Sequence, residues 1–355
     1  MDDIYFDARY IRVGRHDGIS RFSTGLVHEL HKVTPLVVLV HDLRQLEILP
    51  KNIRYEMIPQ PTSLLEPLLA LKLNKLGAKI VFSPMQTMGS FGRKFKLVLT
   101  VHDFIYYRHP APPPTFSLLV RLLWRLYHLS YWPQRLLLSR PDAVVTVSKT
   151  TEALIQKHRL TKKKVWVVPN AAELVEEGYV TPSAPVSKKL VYMGSFMDYK
   201  NVELLIAGMK FLPGFELHLL SPITKQRQND LTALGAQEDS VIFHNGVSEQ
   251  KYHELLSQAT ALVSASRDEG FGIPLVEAME RGIPVVCSEI EIFKEICGPA
   301  GIYFDPNDEE GFADSIKQLT DEDVWRRYSQ LGLVQSQNFT WEKSAAVLLS
   351  VLRDL

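Results

Sequence analysis

Residues 264–288, SASRDEGFGIPLVEAMERGIPVVCS, decide how the rest of the chain is read. The apolar run ALVSAS that leads into this stretch reads as a buried strand, and IPVVCS at its end as a second, with a short helical pattern between them. Pro274 suits the first turn of a helix and Gly282 the position just past its end, so a helix is expected from about Pro274 to about Arg281. Its N-terminus opens onto Gly270, Phe271 and Gly272. Unpaired N–H groups and the helix dipole attract an anion to such a terminus, and the glycines let a ligand approach the backbone. Glu269 precedes this loop and Glu277 lies one turn into the helix, so the two carboxylates flank one place at different depths. Taken alone, the loop also reads as a plain turn with two dipole-stabilising surface glutamates.

Size and composition bound the rest. The 355 residues exceed one typical doubly wound domain and suit two, and 46% hydrophobic with 23% charged residues excludes a disordered chain. The N-terminal MDDIYFDARY has acids where a secretory leader carries bases, and no apolar run approaches roughly 18 residues, so a cytoplasmic location is expected. Cys287 and Cys297 have no metal-type or disulfide spacing and read as structural. The net charge of zero conceals an asymmetry: residues 1–180 hold 25 Lys+Arg against 15 Asp+Glu, and residues 181–355 hold 15 against 25. Asp103 is the only acid between Glu66 and Asp142, a span with eleven Lys or Arg, and such a field favours an anionic partner for the first half. No zinc-finger spacing or RNA-binding aromatic signature accompanies it, so nucleic acid is not expected.

Strand-like runs (DIYFDA, LVVLVHD, KIVFSP, KLVLTVHD, DAVVTVS, KVWVVPN) alternate with helical segments up to residue 170, and a second series (LVYMGS, FELHLLS, SVIFHNG, ALVSAS, IPVVCS) begins near residue 190. This alternation predicts an α/β protein with parallel doubly wound sheets. Polar TPSAPVSKK places a linker near residues 172–188, and the domain boundaries are set at 1–180, 181–338 and a C-terminal helix at 339–355.

Three further strings carry chemistry. YMGSFMDYKN places Gly194 and Ser195 at a strand end and Lys200 at the next helix start, where a lysine reaches a phosphate or is merely solvated. KLVLTVHD ends a strand in His102 and Asp103, and the histidine is either a site residue or one satisfied by a backbone partner. The loop VGRHDGISRF puts Gly18 near a helix start and Arg21 behind it, as phosphate or acceptor contacts or as a surface turn. In SLLVRLLWRLYHLSYWPQRLLLSR, Arg121, Arg125, Arg135 and Arg140 mix with aromatics and leucines. Two readings stand: packing of the apolar residues against the sheet, or reversible docking on an anionic membrane.

The EGFGIPLVE string with its downstream AMERGIPVV resembles the EGFGxPxxE and AMxxGxPVV signature of glycosyltransferase family 4. The resemblance implies the GT-B fold, two Rossmann-like doubly wound domains facing across a cleft, with the acceptor side first, the donor-binding domain second and the last helix returning to the first. It implies retaining, metal-independent transfer of a sugar from a nucleoside diphosphate sugar, with no other cofactor and no Asp-x-Asp metal motif needed. Position by position, Lys200 would stabilise the leaving diphosphate, Glu269 would face the donor sugar, and Glu277 would hold the ribose. The loop residues Gly270, Phe271, Gly272 and Ile273, with Leu275, Val276, Gly194, Ser195 and Gly18, would line the donor. His102 would contact the transferring sugar, while Asp103 and Arg21 would serve the acceptor side. The GISRF string is similar to the GIGRY of members that build bacterial surface polysaccharides, with Ser20 and Phe22 as departures. That subgroup implies GDP-mannose and a glycan or lipid-linked oligosaccharide, with peripheral contact at the inner face of the cell membrane. Many members carry an arginine near Ser195 or Tyr199, which this chain lacks. Two rivals remain, a glycosidase and a catalytically degenerate GT-B protein that binds a glycan or a partner transferase.

Overall fold

Short β-branched runs separated by helices give two parallel sheets, and every strand pairing among the described residues is parallel. The structure is a computed structural model that describes residues 3–14, 17–111, 117–173, 179–185, 187–234 and 240–355. The chain divides into two compact units, Met1–Ala171 with Thr340–Leu355, and Ala172–Phe339. Of the residues read as linker, 174–178 and 186 lie outside the described residues. Within the second unit, the Tyr179 hydroxyl donates to the Arg281 carbonyl at 3.0 Å, so the chain after residue 178 is already anchored there.

The first unit runs β1 (Ile4–Asp7), α1 (Gly18–Val33), β2 (Leu36–Val40), β3 (Arg54–Met57), α2 (Leu69–Lys75), β4 (Ile80–Ser83), β5 (Lys96–Val101), α3 (Ile105–Arg108), α4 (Leu118–His128), α5 (Trp132–Leu138), β6 (Ala143–Thr146), α6 (Lys149–Lys157) and β7 (Val165–Val167). Its sheet has the order β3-β2-β1-β4-β5-β6-β7. The second unit runs β8 (Lys189–Tyr192), α7 (Val202–Gly208), β9 (Glu216–Leu219), α8 (Lys225–Thr232), β10 (Val241–Phe243), α9 (Glu249–Ser257), β11 (Ala261–Ser264), α10 (Ile273–Glu280), β12 (Val285–Ser288), α11 (Glu291–Cys297), β13 (Gly301–Phe304), α12 (Glu309–Lys317) and α13 (Glu322–Ser336). Its order is β10-β9-β8-β11-β12-β13. Both are doubly wound sheets, and their central strands are buried on both faces, which is why they read as continuous apolar runs.

Two strands escape the sequence reading. β3, RYEM, lies at a sheet edge with mostly exposed residues and so lacks an apolar run, while β13, GIYF, follows Gly298-Pro299-Ala300 and resembles the continuation of a turn.

The last helix, α14 (Trp341–Arg353), belongs to the first unit. Trp341 sits over Gly25 of α1 with its ring 6.3 Å from that of Phe22, and the Ser344 hydroxyl donates to the Pro169 carbonyl at 2.8 Å. A methyl at Gly25 overlaps the indole, so Gly25→Ala is expected to lower stability by about 2 kcal/mol through overpacking. Urea unfolding with an unchanged midpoint would contradict this.

At the end of α10, Glu280 is partly buried, and its Oε2 has no hydrogen-bond partner among the described residues. Burial raises its carboxyl to about 7, with Arg281 opposing weakly. The folded state therefore holds a proton that the unfolded chain releases near pH 4.5, and stability contributed by this group falls as pH rises from there through 7. Glu280→Gln should raise stability at pH 8 by about 1 kcal/mol after solvent screening, with the gain vanishing at pH 4.5. Thermal unfolding at the two pH values checks this, and a gain of equal size at both would refute it.

Candidate functional site

In the second unit the strand order reverses between β8 and β11. The loops leaving those two strands, residues 193–201 and 265–272, lie at their carboxyl ends on either side of this switch point, where open α/β sheets bind ligands. Backbone and side-chain bonds stitch the loops together. The Arg267 N–H donates to the Tyr199 carbonyl at 2.7 Å, and Asn201 Nδ2 donates to the carbonyls of Ala265 at 3.2 Å and Pro306 at 2.8 Å. Asn201 has φ +53°, a left-handed conformation that asparagine tolerates better than most residues.

That turn brings Lys200 to Glu269. Lys200 Nζ pairs with Glu269 Oε1, both side chains are about 15% exposed, and Ser266 Oγ donates to the same oxygen at 2.9 Å. A lysine and a glutamate 69 residues apart thus share one mostly covered recess. Their Coulomb attraction is of order a few kcal/mol gross in a surface-like dielectric, and the desolvation of both ions offsets much of it. The pair is therefore poised for exchange when a stronger anion arrives.

Gly194 and Ser195 serve the loop itself. A Cβ at Gly194 would lie 2.6 Å from the Tyr192 hydroxyl, which donates to the Ser195 carbonyl at 2.6 Å, while the Gly194 N–H donates to Ser221 Oγ at 3.2 Å. Burial, and secondarily the charge on Glu269, raise the Tyr192 phenol well above its ordinary value, so it stays a donor.

At the start of α10 the N-cap, Gly272, has no side chain to cap the helix, Pro274 has no N–H, and the Leu275 N–H donates to the Gly272 carbonyl at 3.0 Å. Gly272 has φ +102°, where a Cβ would also press on Leu275 and Phe293 at 3.0–3.1 Å. Gly270, Gly272 and Ile273 are only partly covered, whereas Phe271 is buried edge-on to Phe339 with ring centres 5.5 Å apart. Leu275 and Val276 pack in the core, so only their backbone can meet a ligand. Glu277 is also buried, and its Oε2 accepts from the Tyr252 hydroxyl at 2.8 Å. Tyr252 on α9 therefore sets the rotamer of the second carboxylate.

The arginine missing near Ser195 has a counterpart from a distant part of the chain. Arg227 of α8 donates from Nε to the Phe196 carbonyl at 3.1 Å and pairs with Glu203, with Asp198 3.9 Å away. Its charge holds the loop in place and is largely answered by those carboxylates.

In the first unit, the reversal lies between β1 and β4, next to β5. His102 follows β5 and donates from Nε2 to the Pro84 carbonyl at 2.7 Å, because a carbonyl only accepts. Phe22 meets its ring edge-on at 5.2 Å, and burial lowers its pKa, so the imidazole is neutral at pH 7. Asp103 accepts from the Ile105 N–H at 3.0 Å at the start of α3. Gly18 opens α1, but the Asp17 carboxylate already caps that terminus by accepting from Ser20 N–H at 2.9 Å. Ser20 is buried, and its Oγ accepts from the Arg12 N–H at 3.0 Å, so the hydroxyl that departs from the GIGRY pattern locks the preceding loop. Arg21 donates its own N–H to the Asp17 carbonyl within the first turn of α1.

One Asp-x-Asp string does occur, Asp321-Glu322-Asp323, which qualifies the expectation that the chain has no use for one. Asp321 caps α13 by accepting from the N–H groups of Asp323 and Val324, and Asp323 pairs with Arg326, so these acids serve a helix start. Among the described residues, no group of three metal-ligating side chains converges.

Sequence reasoning missed Ser266, Tyr252, Asn201 and Arg227. Ser266 and Asn201 adjoin residues already singled out and could have been found as their neighbours. Tyr252 and Arg227 reach the site only through the fold.

Residues 181–332 match the family profile described as glycosyl transferases group 1, and residues 18–175 match that of glycosyltransferase family 4. With two doubly wound parallel sheets in one chain, the protein has the GT-B fold. The chain thus carries a glycosyltransferase family 4 domain followed by a glycosyl transferases group 1 domain. It is similar to O-antigen chain mannosyltransferase B of Escherichia coli, 32% identical over 43% of this chain and 42% of the relative. It is also similar to O-antigen chain mannosyltransferase RfbU of Salmonella typhimurium, 28% identical over 62% of this chain and 60% of the relative. The matches thus span less than two thirds of those relatives' lengths. Among solved structures, Anabaena HepE in complex with UDP and glucose aligns over 100% of both chains with a TM-score of 0.72 at 18% identity.

Because Tyr252 is the hydroxyl donor to Glu277, Tyr252→Phe should cost about 1–2 kcal/mol of stability by removing a buried, charge-assisted bond. An unchanged thermal midpoint would show that Glu277 draws nothing from this contact.

Proposed function

We propose that this chain transfers a hexose, mannose in preference, from a nucleoside diphosphate sugar, GDP-mannose in preference, to a glycan or lipid-linked oligosaccharide during surface-polysaccharide synthesis. The observation that carries the reading is the Lys200–Glu269 pair at the β8/β11 switch point beside the start of α10, whose Gly272 N-cap has no side chain. Transfer breaks the bond between the anomeric carbon and a diphosphate oxygen. Negative charge gathers on the leaving diphosphate, and positive charge on the sugar ring. A lysine with helix N–H groups answers the first, and a carboxylate a bond's length from that lysine answers the second. The donor contacts therefore fall to Lys200, Glu269, Glu277, the amides of 270–273, and Gly194 with Ser195.

Transfer proceeds with retention, and without a metal ion, because Lys200 and the α10 terminus take the part of a divalent cation. His102, Asp103 and Arg21 are assigned to the transferring sugar and the acceptor. The neutral state of His102 suits a hydrogen-bonding role toward sugar hydroxyls. The similarity to O-antigen mannosyltransferases supports the choice of mannose and of a polysaccharide acceptor. A lipid-linked acceptor places the enzyme at the anionic inner face of the cell membrane.

Lys200→Ala should depress turnover by roughly two to three decades with a smaller change in KM, since its charge acts chiefly on the departing diphosphate. Glu277→Ala should mainly raise KM for the donor. A screen of GDP-, UDP- and TDP-sugars, read by release of nucleoside diphosphate, tests the whole reading. Release from GDP-mannose in the presence of a glycan acceptor supports it, turnover without any nucleotide points to a glycosidase, and no release from any donor points to a degenerate binding protein.

A further inference from the structure

α4 is an amphipathic helix with its packing inverted relative to the usual arrangement: aromatics face in and leucines face out. Trp124 lies edge-on to Tyr106 at 4.8 Å, and Tyr127 and His128 stand 6.5 and 4.9 Å from Tyr107, so one side of the helix is sealed onto α3. The opposite side carries Leu118, Leu119, Leu122, Leu123 and Leu126, each between 54% and 82% exposed, and no residue of α4 is fully buried. At 100° per residue these five leucines occupy one continuous arc, with Arg121 and Arg125 along its border. Beyond the helix, Leu129 and Trp132 extend the apolar surface at 77% and 64% exposure. Surface leucines scattered singly need no explanation, but a contiguous leucine face of this kind marks an interaction surface.

We infer that this face docks in the plane of an anionic phospholipid bilayer, with the leucines among the acyl chains and the arginines among the headgroups. Three features select that occupant. From Phe104 to Pro141 the chain has no carboxylate and five arginines, which suits a negative surface. A second copy of the chain would set Arg121 and Arg125 against themselves, with no acid in the segment to pair them. At 11 residues α4 is about 16 Å long, far too short to cross a bilayer but long enough to lie in its interface, and no helix among the described residues is long and apolar enough to span. The inference deepens the lipid-side reading of the acceptor.

The test is vesicle flotation of the full chain without any nucleotide sugar, so that its failure leaves the transfer reading standing. The wild type should float with phosphatidylcholine vesicles that contain about 30% phosphatidylglycerol at low salt, and sink with pure phosphatidylcholine. Arg121→Ala with Arg125→Ala should weaken partitioning about 30-fold and flatten its salt dependence. Leu122→Glu with Leu126→Glu should weaken it by on the order of 100-fold. Both variants alter solvent-facing side chains, and an unchanged unfolding midpoint verifies their fold. Absence of flotation by the wild type would overturn the inference, as would variants that float like it. A dimer in light scattering that the leucine variant alone dissolves would likewise overturn it and assign the face to a second copy.

Discussion

Reversal of strand order between β8 and β11 is the constraint on which the site depends. A parallel sheet sends its successive loops to one edge, and at the reversal two loops diverge to opposite faces and leave a gap between them. Into that gap the chain sends Lys200 from one side and Glu269 from the other, and the two close on each other. Around the pair, Asn201, Arg267 and Tyr192 supply the bonds that keep both loops from drifting. In the proposed reading, once the donor has displaced Glu269 from Lys200, these braced loops need little further reorganisation as charge develops. Electrostatic stabilisation of that kind is usually the largest single term in catalysis.

The same region shows how one cation can be kept available while another is not. Arg227 lies against the 196 carbonyl, but Glu203 claims its guanidinium, so it acts as a brace. Among the described residues Lys200 pairs with one carboxylate, Glu269, which the proposed reading also assigns to the donor sugar. In that reading the diphosphate of a nucleotide sugar brings two negative charges where Glu269 brings one, which favours the exchange electrostatically. The first unit shows the reverse situation at Gly18, where the Asp17 carboxylate already satisfies the terminus of α1.

Much of this was legible in the chain itself, for definite reasons. The central strands read as apolar runs because both faces are covered, and the 264–288 string read as strand, loop, helix and strand because Pro274 and Gly282 punctuate it. The edge strand β3 was invisible because it has almost no buried face to encode. Tyr252 and Arg227 could not be read because their contacts with Glu277 and Phe196 span 25 and 31 residues and depend on which helices flank the sheet. The α4 segment was legible only as an ambiguity. Its aromatics pack on α3 and its leucines are exposed, and a helical wheel alone does not say which arc meets a neighbour.

The central claim is that Lys200 exchanges Glu269 for the diphosphate of a nucleotide, and calorimetric titration of GDP into the wild type and into Lys200→Ala tests it most directly. The account predicts measurable binding by the wild type that weakens with added salt, and a loss of about tenfold or more in the variant. Equal binding by both proteins, or no binding of either GDP or UDP by the wild type, would contradict it.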